Sequence, residues 1–307
     1  MNRVTAIVGP TGTGKTALAL ALAQRNHHEI IGADSRQIYR HMDIGTAKPT
    51  SQEQAETPHH LIDVINPDDE FNLALYLNEA RNIINKLFAQ GKEVIVVGGT
   101  GQYISALLEG WNVPNVPPDF HLRKELEQQA RIDGPEALLE ELRSLDPNAA
   151  KMVDHKNARR IIRAIEIAKA PKGQRENTGR KTDPPWEFTV IGLTIERENL
   201  YHRLDKRINE MIESGWVQEV EKLIEYGFST NLPAFSSAGY RELANHIQKL
   251  TSLEEAVTLT KYSHHKLARR QATWFRKRGQ KFNWLDATYK DTPILADEAR
   301  SIINNME

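Results

Sequence analysis

The 307-residue chain has no cysteine. Disulfides and thiolate metal sites are therefore excluded, and nothing calls for an oxidising compartment. No uninterrupted apolar run approaches the roughly 20 residues that a membrane-spanning helix needs. Val4 already opens a strand-like run, which leaves no room for a secretory leader, so a soluble cytoplasmic protein with no membrane partner is expected. Net charge is scarce as well, at −1, which argues against a uniformly polyanion-binding surface. Hydrophobic content of 39% and charged content of 26% fit one large or two ordinary globular domains.

What is present begins with Val4-Thr5-Ala6-Ile7-Val8, then Gly9-Pro10-Thr11-Gly12-Thr13-Gly14-Lys15-Thr16, then a helical stretch from Ala17 to Ala23. Glycine, four residues and Gly-Lys-Thr is the phosphate-binding loop pattern, here in its required order of strand, loop and helix. Glycines let consecutive backbone N–H groups turn toward one anion, the helix N-terminus adds partial positive charge, and Lys15 supplies a full one. The Thr16 hydroxyl sits where such loops ligate Mg²⁺. A di- or triphosphate ligand follows.

A second strand over Glu29 to Ala33 delivers Asp34 to the crevice at the strand ends, where it acts on the bound ligand or caps a turn. Glu93 to Val97 reads as a buried parallel strand. It lacks the terminal aspartate of a Walker-B strand and ends on Gly98-Gly99-Thr100-Gly101. These glycines allow close backbone approach, and Thr100 offers a hydroxyl to the crevice or caps the next helix. His59, His60 and Asp63 invite a metal hypothesis, but adjacent histidines diverge on a regular element and no further ligand lies nearby. Leu73, Leu77, Ala80, Ile84 and Leu87 predict an amphipathic helix.

Three prolines (Pro114, Pro117, Pro118) then mark a hinge, and the region from about Asp119 to Ala170 reads as all helix. Lys156, Arg159, Arg160 and Arg163 fall on one helical stripe opposite Ala158, Ile161, Ile162 and Ile165. Pro171 to Pro185 is a polar loop with Lys172, Arg175, Arg180 and Lys181, after which Glu187 to Leu193 returns to strand character. The expected class is α/β: a P-loop NTPase-like parallel sheet core (1–115 and 187–307) with a helical insertion domain (116–186). Helices are expected from Tyr201 to Glu213 and from Trp216 to Tyr226. From Lys261 to Lys281 there are eight Lys or Arg and no acid. Lys266, Arg269, Arg270, Arg276 and Lys277 share one side of that helix, with Leu267, Gln271 and Trp274 on another. Segregated basic stripes on a neutral chain suggest contact with a polyanion.

The phosphate loop, Asp34-Ser35-Arg36-Gln37-Ile38-Tyr39, Pro58-His59-His60-Leu61-Ile62-Asp63, Gly98-Gly99-Thr100-Gly101-Gln102-Tyr103, Ser237-Ala238-Gly239-Tyr240-Arg241 and Arg270-Gln271-Ala272-Thr273-Trp274 together resemble, in order and over nearly the whole chain, the tRNA dimethylallyltransferases. The resemblance implies transfer of a dimethylallyl group from its diphosphate to N6 of the adenosine 3′ of the anticodon, by a monomer that recognises the anticodon stem-loop. The residues Gly9 to Thr16 would hold the diphosphate (Gly9, Pro10, Thr11, Gly12, Thr13, Gly14, Lys15, Thr16), with Mg²⁺ on Thr16. Asp34, Thr100 and Arg207 would be catalytic. Contacts to tRNA would come from Asp34, Ser35, Arg36, Gln37, Thr100, Arg123, Arg159 to Arg163 (Ile161 and Ile162 included), Gly239, Tyr240, Arg241, Arg269, Arg270, Gln271, Trp274 and Arg276. The alternatives are a small-molecule P-loop kinase, an adenylate isopentenyltransferase that needs no basic stripes, and a non-catalytic RNA-binding switch that leaves Asp34 and Thr100 idle.

Overall fold

A computed structural model describes residues 2–24, 28–114, 116–175, 181–278 and 281–305. Arg180 of the polar loop lies outside them. The chain divides into two compact units, one made of Met1–Leu108 with Pro184–Glu307 and the other of Glu109–Asp183.

The first unit is built on a six-stranded parallel sheet. Its strands are β1 (Arg3–Val8), β2 (Glu29–Gly32), β3 (His59–His60), β4 (Val94–Gly98), β5 (Glu187–Thr194) and β6 (Asn283–Asp286), ordered β3-β2-β4-β1-β5-β6. Val4 to Val8 is apolar throughout but for Thr5 and buried throughout, which suits a strand covered on both faces. Because β1 pairs with β4 on one side and β5 on the other, the chain changes direction across the sheet there. Such switch points open a crevice at the carboxyl ends of the strands.

Helices α1 (Lys15–Ala23), α2 (Ser51–Glu56), α3 (Leu73–Ala89) and α4 (Gly101–Leu108) belong to the first half of this unit. The inserted unit holds α5 (Phe120–Ile132), α6 (Pro135–Leu145), α7 (Pro147–Met152), α8 (Ala158–Lys169) and a single turn, α9 (Lys172–Arg175). The second half of the first unit adds α10 (Arg197–Glu213), α11 (Trp216–Glu225), α12 (Tyr240–Ile247), α13 (Leu253–Arg278) and α14 (Thr292–Asn304). Helix α3 starts where the Asn72 side chain accepts the Ala74 and Leu75 amides, and it buries Leu77, Ala80, Ile84 and Leu87 as the periodicity predicts. On the sheet, Leu18 and Leu22 of α1 pack with Ile7, Ile30, Ile95 and Ile191, and with Leu295 and Ala299 of α14.

Strands β3 and β6 and helices α2, α12 and α14 were not expected from the sequence. Strands β3 and β6 are too short to show a period. Helix α14 announces itself only by its cap, Asp291 accepting the Ile294 amide with Pro293 in the first turn. The basic helix also begins earlier than Lys261, because Glu254 and Glu255 complement the dipole in its first turn. The turn at 172–175 breaks the expected loop, and follows a proline whose fixed φ suits a helix start. The paired histidines lie toward the amino end of the sheet. His59 donates through Nδ1 to the Thr57 carbonyl, and His60 bonds the Glu29 carboxylate at 2.6 Å. Among the described residues no helix is long and apolar enough to cross a membrane.

The inserted unit has its own core of Leu126, Leu138, Leu139, Leu142, Ile161, Ile162 and Ile165. Its two ends meet where Thr182 donates its amide to the Gly110 carbonyl. Glu166 is its buried charge, accepting from the Asp119 amide, from Arg123 in bidentate fashion and from Arg163. Burial alone would push this carboxyl up. The bonds from Arg123, Arg163 and the Asp119 amide outweigh it and hold Glu166 below the usual carboxylate range. Glu166→Ala is expected to destabilise the unit by about 2 kcal/mol, the value of a charged hydrogen-bond set whose arginines keep some solvent. A shift of the urea midpoint relative to the wild type checks it.

Candidate functional site

The phosphate loop turns from β1 into α1 through backbone that only glycine adopts cheaply. Gly12 and Gly14 have φ of 85° and 91°, and a Cβ on Gly12 would lie 2.9 Å from Leu204. Thr13 Oγ1 and Lys15 Nζ both donate to the Pro10 carbonyl, at 2.9 and 2.7 Å, drawing the loop into a ring. A cavity of about 320 Å³ opens over it, lined by Thr11, Gly12, Gly14, Lys15 and Thr16. Gly9, Pro10 and Thr13, expected as ligand contacts, are buried and are not among the residues that line it. The Thr11 amide is also engaged, donating to Gln271 Oε1 at 2.8 Å. Lys15 and the first turn of α1 are groups there that could hold an anion.

Burial lowers the Lys15 ammonium from 10.5 to about 8; Asp34 opposes the shift and Arg207 adds to it. In the free protein Lys15 therefore gives up its proton more readily than an exposed lysine does. A bound diphosphate favours the charged form, so affinity is expected to fall as pH rises through 8, with proton uptake on binding near that pH. Calorimetric titration with inorganic diphosphate in buffers of different ionisation enthalpy measures that uptake directly.

Beside this cavity lies a second of about 460 Å³. The two share Thr11, Asp34, Thr46, Gly99, Arg207 and Gln271. Asp34 Oδ1 accepts the Arg36 amide at 2.9 Å, and Thr100 Oγ1 accepts the Ser35 amide at 2.9 Å. Thr100 thereby ties the turn that carries Asp34 to the end of β4. Arg207, on α10, faces the same place, its desolvation partly offset by the Asp34 charge. The arrangement sets a carboxylate and a guanidinium at the junction of an anion cradle and a larger cleft.

Helix α13 closes the site from above the strand ends. Gln271 donates to the Gly99 carbonyl at 3.0 Å while its oxygen holds Thr11, so one side chain clamps the phosphate loop to the β4 turn. Trp274 donates to Ser105 Oγ at 3.1 Å and occupies the space a side chain at Gly101 would need. The glycines after β4 admit this helix.

Several expected RNA contacts are placed otherwise. Gln37 donates to the Thr46 and Ala47 carbonyls, and Arg36 to the Pro233 carbonyl, so both hold neighbouring loops. Gly239 and Tyr240 are buried against Trp216, and Ile161 and Ile162 are sealed in the core of the inserted unit, where no side chain can reach a nucleic acid. Arg123 and Arg163 are committed to Glu166. Of the expected contacts, Asp34, Ser35, Arg36, Thr100, Arg241, Arg270, Gln271 and Trp274 line the larger cavity together with Lys266; Arg269 and Arg276 are exposed along α13, and Arg159 and Arg160 are exposed on α8. Thr46, signalled by no motif, lines both cavities, and Glu219 lies outside them but holds the turn before Thr46.

The profile of the IPP transferase family matches residues 37–278. A tRNA dimethylallyltransferase of Thermomicrobium roseum is 46% identical over 287 residues, covering 93% of this chain and 86% of the relative. One from Roseiflexus castenholzii is 48% identical over 272 residues, 89% of each. Among solved structures, the full-length tRNA isopentenylpyrophosphate transferase of Bacillus halodurans superposes with a TM-score of 0.74 at 36% identity, over 99% of this chain and 96% of its own. A eukaryotic dimethylallyltransferase acting on tRNA gives 0.76 at 27% identity, over 94% and 75%. With the family profile spanning most of its length and relatives this similar along nearly all of it, the chain belongs to the IPP transferase family.

Proposed function

We propose that the protein transfers a dimethylallyl group from dimethylallyl diphosphate to N6 of the adenosine 3′ of the anticodon in tRNA, releasing diphosphate. The observation that carries this reading is the junction of two cavities at Asp34 and Arg207, one lined by a phosphate loop and the other rimmed by Arg241, Lys266 and Arg270. A leaving group and a nucleic-acid base can each occupy one side. The names of the relatives, tRNA dimethylallyltransferase and a dimethylallyltransferase acting on tRNA, support the same substrates.

The chemistry follows from the residues. The N6 lone pair attacks C1 of the prenyl group, the C1–O bond breaks, and the electrons leave with diphosphate. N6 is a weak nucleophile because its lone pair is delocalised into the purine, so Asp34 takes its proton as the new C–N bond forms. Lys15, the α1 amides and Arg207 stabilise the charge gathering on the diphosphate. Thr16, whose hydroxyl belongs to the lining of the loop cavity, fits as a protein oxygen for Mg²⁺, a hard cation that takes further ligands from phosphate and water. Bound there, the ion would neutralise part of the diphosphate charge. The reactive adenine must leave its stack to enter the cleft, at a cost of roughly a few kcal/mol offset by basic contacts along α13 and by Arg159 and Arg160. The protein acts as a cytoplasmic monomer, and its substrate contact is the anticodon stem-loop.

Purified protein, Mg²⁺ and labelled dimethylallyl diphosphate should label tRNA and not free AMP. Loss of labelling when the adenosine 3′ of the anticodon is replaced by guanosine fixes the position. ATP hydrolysis without RNA, or labelling of AMP, overturns the reading.

A further inference from the structure

Residues Asp43 to Lys48 form a turn without regular structure between β2 and α2, yet they are held from several sides. Three consecutive amides converge on one carboxylate. Glu219, on α11, accepts from Asp43 and Ile44 at 2.7 Å and from Gly45 at 3.2 Å. The Tyr240 hydroxyl donates to the same carboxylate at 2.6 Å. A carboxylate offers about four acceptor positions, so Glu219 is saturated. The Trp216 indole fills the space beside Gly45, where a Cβ would lie 2.1 Å from Nε1. On the far side Gln37 donates to the Thr46 and Ala47 carbonyls, and Ala47 sits in the left-handed region at φ 52°.

This much restraint serves one exposed outcome. Thr46 is the residue of the turn that borders both cavities, beside Asp34 and Arg207. Its hydroxyl proton is turned away, donated to the Met42 carbonyl at 2.5 Å, so toward the cavities its oxygen can only accept. An acceptor-only oxygen repels a diphosphate and suits an amine. N6 of adenine carries two hydrogens, and Asp34 takes one.

We propose that Glu219 is a positioning residue for the transfer, acting through the Asp43–Lys48 turn to set Thr46 as the acceptor for the second hydrogen of the attacking amine. The proposal rests on the prenyl-transfer reading above. Orientation of the nucleophile, and not its binding, is what the turn supplies, so its loss should appear in kcat.

The test is a double-mutant cycle on the full chain with tRNA and labelled dimethylallyl diphosphate. Glu219→Gln, whose amide turns two N–H donors among the three amides, is expected to lower kcat about tenfold with KM for tRNA within about twofold. Thr46→Val, which keeps shape and removes the acceptor, should do the same. The double variant should be no slower than the worse single, because both act on one group. Tyr240→Phe, which leaves the three amide bonds, should lower kcat only two- to threefold, about the effect of one neutral contact. If Glu219→Gln lowers the melting temperature but leaves kcat unchanged, or if the two losses multiply, Glu219 is a structural residue and the proposal is wrong. Should Glu219→Gln fail to fold, an unaltered kcat in Thr46→Val overturns it equally. Wild-type protein that transfers no prenyl group to tRNA would instead remove the reading on which it rests.

Discussion

Replacing Asp34 by asparagine is expected to slow transfer by about 10²- to 10⁴-fold, the range set by positioned general bases, while tRNA affinity stays within about twofold. Asparagine keeps an Oδ1 that accepts the Arg36 amide, so the turn after β2 is preserved. What it removes is the proton acceptor and one negative charge. That second loss has its own signature. Asp34 opposes the lowering of the Lys15 pKa, so without it the ammonium should titrate below 8 and diphosphate affinity should fall at lower pH than in the wild type. Single-turnover rates measure the first effect and binding of inorganic diphosphate across pH measures the second. An equal loss of rate and tRNA affinity would make Asp34 an RNA contact and not a base.

Lys15→Met should be nearly as damaging, through a different parameter. Methionine fills the space but leaves the cradle without its only full charge from the loop, since Thr11 has given its amide to Gln271. Because charge grows on the diphosphate as the C–O bond breaks, the ammonium is worth more in the transition state than in the ground state. A loss of about 10²- to 10³-fold in kcat, comparable to removing an oxyanion donor, is expected together with a higher KM for the prenyl donor. Lys15→Arg should not restore it. The ammonium lies folded under the Pro10 carbonyl at 2.7 Å, and a planar guanidinium needs a wider, forked site. Steady-state kinetics at saturating tRNA separates the two parameters.

Where local chemistry determines structure, the sequence reads well. The apolar run of β1, the loop after it and the helix beyond are consecutive, so their pattern carries the cradle whole. Helical spacing also gives the solvent face of α13 correctly: Lys266, Arg269, Arg270, Arg276 and Lys277 are all exposed, and Gln271 and Trp274 turn inward. On α8 the same reasoning misjudges Arg163, because Glu166, three residues on, is buried and draws that arginine to itself. The signal was there, an acid within a buried stripe. Other parts of the site had no local signal. Gln271 meets Thr11 from 260 positions away, and Glu219 meets Gly45 from 174. Each is a polar residue on a helix until its partner is known. Tyr240 follows a glycine in a motif that resembles an RNA contact, but its ring packs on Trp216 and its hydroxyl is taken by Glu219.

The sheet order has a consequence for synthesis. Strand β1 is flanked by β4 and by β5, and the whole inserted unit is translated between those two partners. While the ribosome makes that insertion, one edge of β1 has no neighbour, and an apolar strand edge invites wrong pairing. The inserted unit is one continuous stretch with its own core and can fold as it emerges. The cradle cannot follow suit, since the residue that clamps it, Gln271, is made 260 positions after Thr11. Until Gln271 is made the phosphate loop and the turn after β4 have no clamp between them, and until β5 is made one edge of β1 stays open.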